Sequence, residues 1–160
     1  MSKETRLIQY PATILPCILV AVGILAFASP SFAAESAQFE VTIARASRSG
    51  SGIDARLNFA KADLQRRGYT SASYLRGSRI QLNKDQTQRF AVAEQISGQI
   101  QFKGAVGPKG ERAQFYLALY SGSKKQFDAN YSVWKNGAPV ITIIDQPGGS
   151  AYIVIVRALS

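Results

Sequence analysis

Residues 38–46 (QFEVTIARA) alternate apolar and polar, placing Phe39, Val41 and Ile43 on one face, as in a half-buried strand. The loop Ser47-Arg48-Ser49-Gly50-Ser51-Gly52 follows. It lacks GxGxxG spacing and a Walker lysine, so it reads as a strand-to-helix connection and not as a phosphate cradle. The period then changes. Ile53, Leu57, Ala60 and Leu64 fall on one helical stripe, flanked by Phe59. Ser51 followed by Asp54 suits a capping box at the start. Arg66 and Arg67 suit the dipole at the end, and Gly68 suits the residue after it. The spacing predicts one main helix over 53–67.

The remainder reads as strands. Short ones are predicted over 70–75, 79–83 and 87–92, the last after a turn at Lys84-Asp85-Gln86. Ile96, Ile100 and Phe102 share a face in a strand ending at Gly104. Turns at Gly107-Pro108-Lys109-Gly110, Ser121-Gly122-Ser123 and Pro147-Gly148-Gly149 separate strands over 112–120, 125–134, 139–145 and 150–157. Asn136-Gly137 is the strongest hairpin signal, suiting a type I′ turn. An antiparallel meander of about five strands follows from this spacing. Residues 112–120 and 150–159 are apolar on both faces, which predicts central strands covered on both sides. The expected fold is α+β: a β-α-β start running into a mostly antiparallel meander, as a sheet or partial sandwich with one main helix.

Ahead of this domain stands a different pattern. Lys3, Glu4 and Arg6 precede an apolar run over 12–27, and Ser31 and Ala33 are small residues three and one before a cut. Residues 1–33 are therefore expected to be a secretory signal peptide, cleaved between Ala33 and Ala34, with a single mature domain over 34–160. The alternative is an uncleaved anchor, although a span needs about 20 apolar residues and Pro16 interrupts this one. A lipidated Cys17 is disfavoured because Pro16 precedes it and the apolar core continues after it. The expected location is the periplasm or the exterior, with membrane contact only through an uncleaved leader.

Composition narrows the chemistry. The chain has no histidine, and its one cysteine is Cys17. A mature domain without either loses the commonest general base and the usual transition-metal ligands, so no cofactor is expected. Ser-His-Asp and Cys-His mechanisms cannot be assembled. Carboxylate chemistry is the remaining enzymatic route, with Glu94, Glu111, Asp128 and Asp145 as its acids, and a hydrolase of that kind is the alternative to a non-enzymatic module.

The formal charge is +9, and removing Lys3, Glu4 and Arg6 with the leader leaves +8. Arg45, Arg48, Arg56, Lys61, Arg66, Arg67, Arg76 and Arg79 crowd the first half of the mature domain against Asp54 and Asp63. A basic face of this kind attracts anionic partners, here an envelope protein or an anionic envelope polymer. Nucleic acid is not expected, because no RNP-type or helix-turn-helix pattern is present. Among the aromatics, Trp134 beside Lys135-Asn136-Gly137 is the one expected to be exposed.

The stretch IARASRSGSGIDARLNFAKADLQRRGYTSASYL, followed by short strands and the ending SAYIVIVRA, resembles small exported bacterial proteins of uncharacterised role. The resemblance implies an envelope or secretion-related setting and brings no catalytic residues with it. The expected function is an exported, non-enzymatic binding or accessory module.

Overall fold

The alternation that starts at Phe39 carries through a strand of twelve residues, β1 (Ser36–Ser47), in the computed structural model, which describes residues 35–160. The leader and its cleavage position at Ala33 and Ala34 lie outside the described residues. The domain is mostly β, built from two antiparallel sheets and one short helix. Its strands continue as β2 (Gly52–Ile53), β3 (Ser71–Asn83), β4 (Thr87–Ala93), β5 (Ile96–Val106), β6 (Arg112–Ser121), β7 (Lys124–Trp134), β8 (Val140–Gln146) and β9 (Ser150–Leu159). One sheet runs β2-β3-β1-β9-β8 and the other β4-β5-β6-β7.

The first helix is shorter than its stripe predicts. Ile53 leaves it to form a parallel bridge with Ala72 on β3. Asp54, not Ser51, caps the start: its side chain accepts from the Arg56 amide. A 3-10 turn (Ala55–Ala60) then leads into α1 (Lys61–Arg66). The apolar stripe survives this change of pitch, with Leu57, Ala60 and Leu64 fully buried. Gly68 adopts the left-handed φ of +82° that ends the helix. The strands flanking this segment, β1 and β3, are antiparallel neighbours, so the start is not a parallel β-α-β crossover.

Two further predictions are corrected. The separate strands expected over 70–75 and 79–83 are one strand, because a bulge opposite Ile43 and Ala44 absorbs the break in alternation at Leu75. Asn136-Gly137 does not close a hairpin, since β7 and β8 belong to different sheets. A type I′ turn needs positive φ at both central residues, and only Asn136 has it, at +57°. The Asn136 amide instead donates to the Ala158 carbonyl on β9, directing the chain across to the other sheet. The meander is therefore four strands, β4 to β7, followed by a β8–β9 hairpin in the five-stranded sheet.

The two strands with apolar residues on both faces do take central positions. β6 lies between β5 and β7, and β9 between β1 and β8. β9 explains its own pattern. Val154, Val156 and Ala158 join Phe39, Val41 and Ile43 in the core between the sheets. Ile153, Ile155 and Ala151 face the other way, under Leu57 and Leu64. Phe39 centres the inter-sheet core, with its ring edge-on to Phe115 at 5.2 Å and to Phe102 at 5.9 Å.

Candidate functional site

The helical segment covers only one end of the outer face of the five-stranded sheet. Beyond it the same face turns polar, and strand register decides what lies there. Glu40 on β1 sits opposite Arg79 on β3 and Arg157 on β9. These three make a transverse row, Arg79–Glu40–Arg157. The neighbouring row on that face contributes Thr42 and Gly77, and the next contributes Tyr74. Arg56 and Phe59 from the 3-10 turn overhang these rows as a wall. Together they enclose an open cleft of about 480 Å3, within the size range of small-molecule sites.

The wall is held by its own contacts. Arg56 grips Asp54 with two hydrogen bonds, Nε to Oδ1 at 3.0 Å and Nη2 to Oδ2 at 2.7 Å. Its guanidinium also lies over the Tyr74 ring, 3.9 Å from the centroid. The side-chain hydrogen bond from Arg56 holds the Asp54 carboxyl well below the usual carboxylate range. Gly77 makes room for this stack, because a Cβ there would come within 2.7 Å of the Tyr74 hydroxyl oxygen. Leu57, between Arg56 and Phe59 in sequence, anchors the wall in the core beneath.

One prediction follows for acid pH. A carboxyl whose folded pKa is depressed contributes stability that is present above its unfolded pKa and lost as pH falls through the folded value. The Asp54–Arg56 latch should therefore stay closed through the range in which ordinary carboxyls titrate, about 3.5–4.5. Following the Asp54 carboxyl carbon by NMR checks this. A midpoint at the ordinary Asp value would show that the latch is open in solution.

Arg79 and Arg157 are not tied in this way. Among the described residues neither they nor Glu40 takes part in an ion pair within 4.0 Å. Arg157 packs its guanidinium over Phe59, 5.1 Å from the ring centroid, and its buried Nε has no hydrogen-bond acceptor among the described residues. Phe59 itself is 46% exposed. The cleft thus presents two guanidiniums on either side of one carboxylate, beside a part-exposed aromatic ring.

Of the eight basic residues named from the sequence, the structure brings only Arg56 and Arg79 to this cleft. Arg48 and Arg67 lie beyond the other end of the helix and share a smaller hollow with Tyr69 and Asp145. There Tyr69 donates to Asp145, and burial, followed by that hydrogen bond, raises the Tyr69 pKa. Arg66 pairs with Asp63, and Lys61 is exposed at the start of α1. Arg45 and Arg76 fall on the opposite face of the sheet, where Arg76 donates to the Ala91 carbonyl on β4. Trp134 is 57% exposed on the edge strand β7, with the Arg112 guanidinium 5.5 Å from its ring.

The four carboxylates named for acid–base chemistry stand apart. Asp128 accepts from Tyr116 at 3.1 Å on the outer face of the four-stranded sheet. Glu111 accepts from the Lys109 amide at 3.0 Å, Asp145 binds Tyr69, and Glu94 lies in the turn between β4 and β5.

The sequence reading missed Arg157, Glu40, Thr42 and Tyr74. A signal for Arg157 exists, since it is the one charge in an otherwise apolar central strand. Such a charge needs either a partner or a site. No family model, curated protein or solved structure matches the chain.

Proposed function

We propose that this chain is an exported, non-enzymatic binding or accessory module of the bacterial envelope, and that it holds an anionic group of its partner in the cleft beneath the 3-10 turn. The observation that carries this is the Arg79–Glu40–Arg157 row, in which, among the described residues, neither guanidinium has a carboxylate within ion-pair range. Arginine offers a planar fork of donors suited to carboxylate, sulfate or phosphate, and it keeps its charge at any physiological pH. The β1–helix–β3 segment is the α+β start of the domain in this reading, its short helix serving as the wall of the cleft. Among the described residues Glu40 is the one carboxylate lining the cleft, so no facing carboxylate pair there supports the hydrolase alternative.

Retention on sulfated dextran beads, with unmodified dextran as control, tests the proposal. Arg79→Gln and Arg157→Gln should each weaken retention about 10–100-fold, the range for losing one charge-assisted hydrogen bond. Lys61→Gln and Arg66→Gln, which remove the same charge elsewhere, should leave retention nearly unchanged. Equal losses from all four variants would mean that net charge alone is responsible. Binding should also weaken at high salt, where the Debye length shrinks to about 3 Å at 1 M.

A further inference from the structure

We infer that the ligand of this cleft is an anionic saccharide whose sugar units each carry one carboxylate or sulfate beside free hydroxyl groups. The inference rests on the anion-binding role proposed above and adds the chemical class. Glu40 is the deciding residue. Strands in a sheet lie about 4.8 Å apart, so the Glu40 carboxylate stands between Arg79 and Arg157 at the floor of the cleft. A compact, fully charged anion placed across the row would meet that carboxylate and be repelled. A ligand with one anionic group and neighbouring hydroxyls satisfies the whole row: the anion takes a guanidinium, and the hydroxyls donate to Glu40.

The rest of the lining agrees. Thr42 and Tyr74 offer hydroxyls that both donate and accept. Phe59, part-exposed beside Arg157, offers aromatic surface on which the C–H face of a pyranose can pack. It is the only large purely apolar side chain among the described lining residues, so a sugar fits this lining better than a lipid tail. The helix-side hollow around Asp145 offers no such combination, because its carboxylate is already engaged by Tyr69.

The test is calorimetric titration of the purified protein with tetragalacturonic acid, maltotetraose and inorganic phosphate. The acidic tetrasaccharide should bind at least about tenfold more tightly than either of the others, a margin of one charge-assisted hydrogen bond. Glu40→Gln gives the sharpest sign. It should weaken tetragalacturonate binding several-fold, whereas at a plain anion site it would strengthen binding by removing a repulsive charge. Phe59→Ser, at an exposed position, should also weaken the saccharide, and by more than it weakens phosphate. The saccharide assignment is overturned if phosphate binds as well as tetragalacturonate, or if Glu40→Gln tightens the complex; the anion-binding role then stands without it. If no probe binds, both fall together.

Discussion

Phe39→Ala lowers the unfolding free energy by about 3–5 kcal/mol, the usual cost of emptying a buried aromatic site. Phe39 is fully buried at the centre of the core shared by the two sheets. It is the ring that contacts both Phe102 on β5 and Phe115 on β6, so its loss leaves a cavity bounded by elements of both sheets. The surroundings have little freedom to collapse, because β1 is hydrogen-bonded to β3 on one side and β9 on the other. A domain of this size is stable by about 5–15 kcal/mol, so this one change removes a large part of the margin. Urea unfolding checks it: the midpoint should fall with the slope nearly unchanged. A loss below about 1 kcal/mol, the level of an ordinary substitution, would mean that the sheets are not joined through Phe39.

Leu57→Ala lowers stability by about 2–5 kcal/mol, and its damage is local. The 3-10 turn and α1 are six residues each, too short to hold together alone. They stay in place because Leu57, Ala60 and Leu64 sit on Ala44, Ala46, Ala151 and Ile153. Leu57 is the larger of the two buried side chains in the 3-10 turn and lies between the cleft residues Arg56 and Phe59. Its truncation should loosen the wall of the cleft before it disturbs the sheets. Amide exchange should accelerate over 55–66 while β1 and β9 stay protected, and sulfated dextran retention should fall with it. Uniform acceleration across the sheets would show instead that the helical segment is part of the main cooperative unit.

The strands were legible because alternation is a local signal, and the central positions of β6 and β9 were legible because a strand covered on both faces must be apolar on both. Sheet membership was not. Asn136-Gly137 carries a hairpin sequence, yet the Asn136 amide binds Ala158 and the chain changes sheets there. The helix start was misplaced because Ile53 fits a helical stripe as well as it fits a bridge to β3.

The basic residues show the same limit. Arg76 and Arg79 are three apart on β3, an odd spacing, so they point to opposite faces: Arg76 pairs across from Ile43 and Arg79 across from Glu40. Proximity along the chain made one patch of them, and the pleat divides it. Arg157 joins Arg79 only through register with Glu40, a relation spanning most of the domain that no local pattern carries.

In the proposed role Arg79 and Arg157 act together as the anion-binding pair. The most direct measurement is an NMR titration of the arginine Nε–H signals with a sulfated dextran oligosaccharide, against sodium chloride at matched ionic strength. The Arg79 and Arg157 signals should shift together and saturate at one common midpoint, while those of Arg45 and Arg66 barely move. Small, unsaturating shifts spread over all the arginines, or saturation at Arg48 and Arg67 instead, would contradict it.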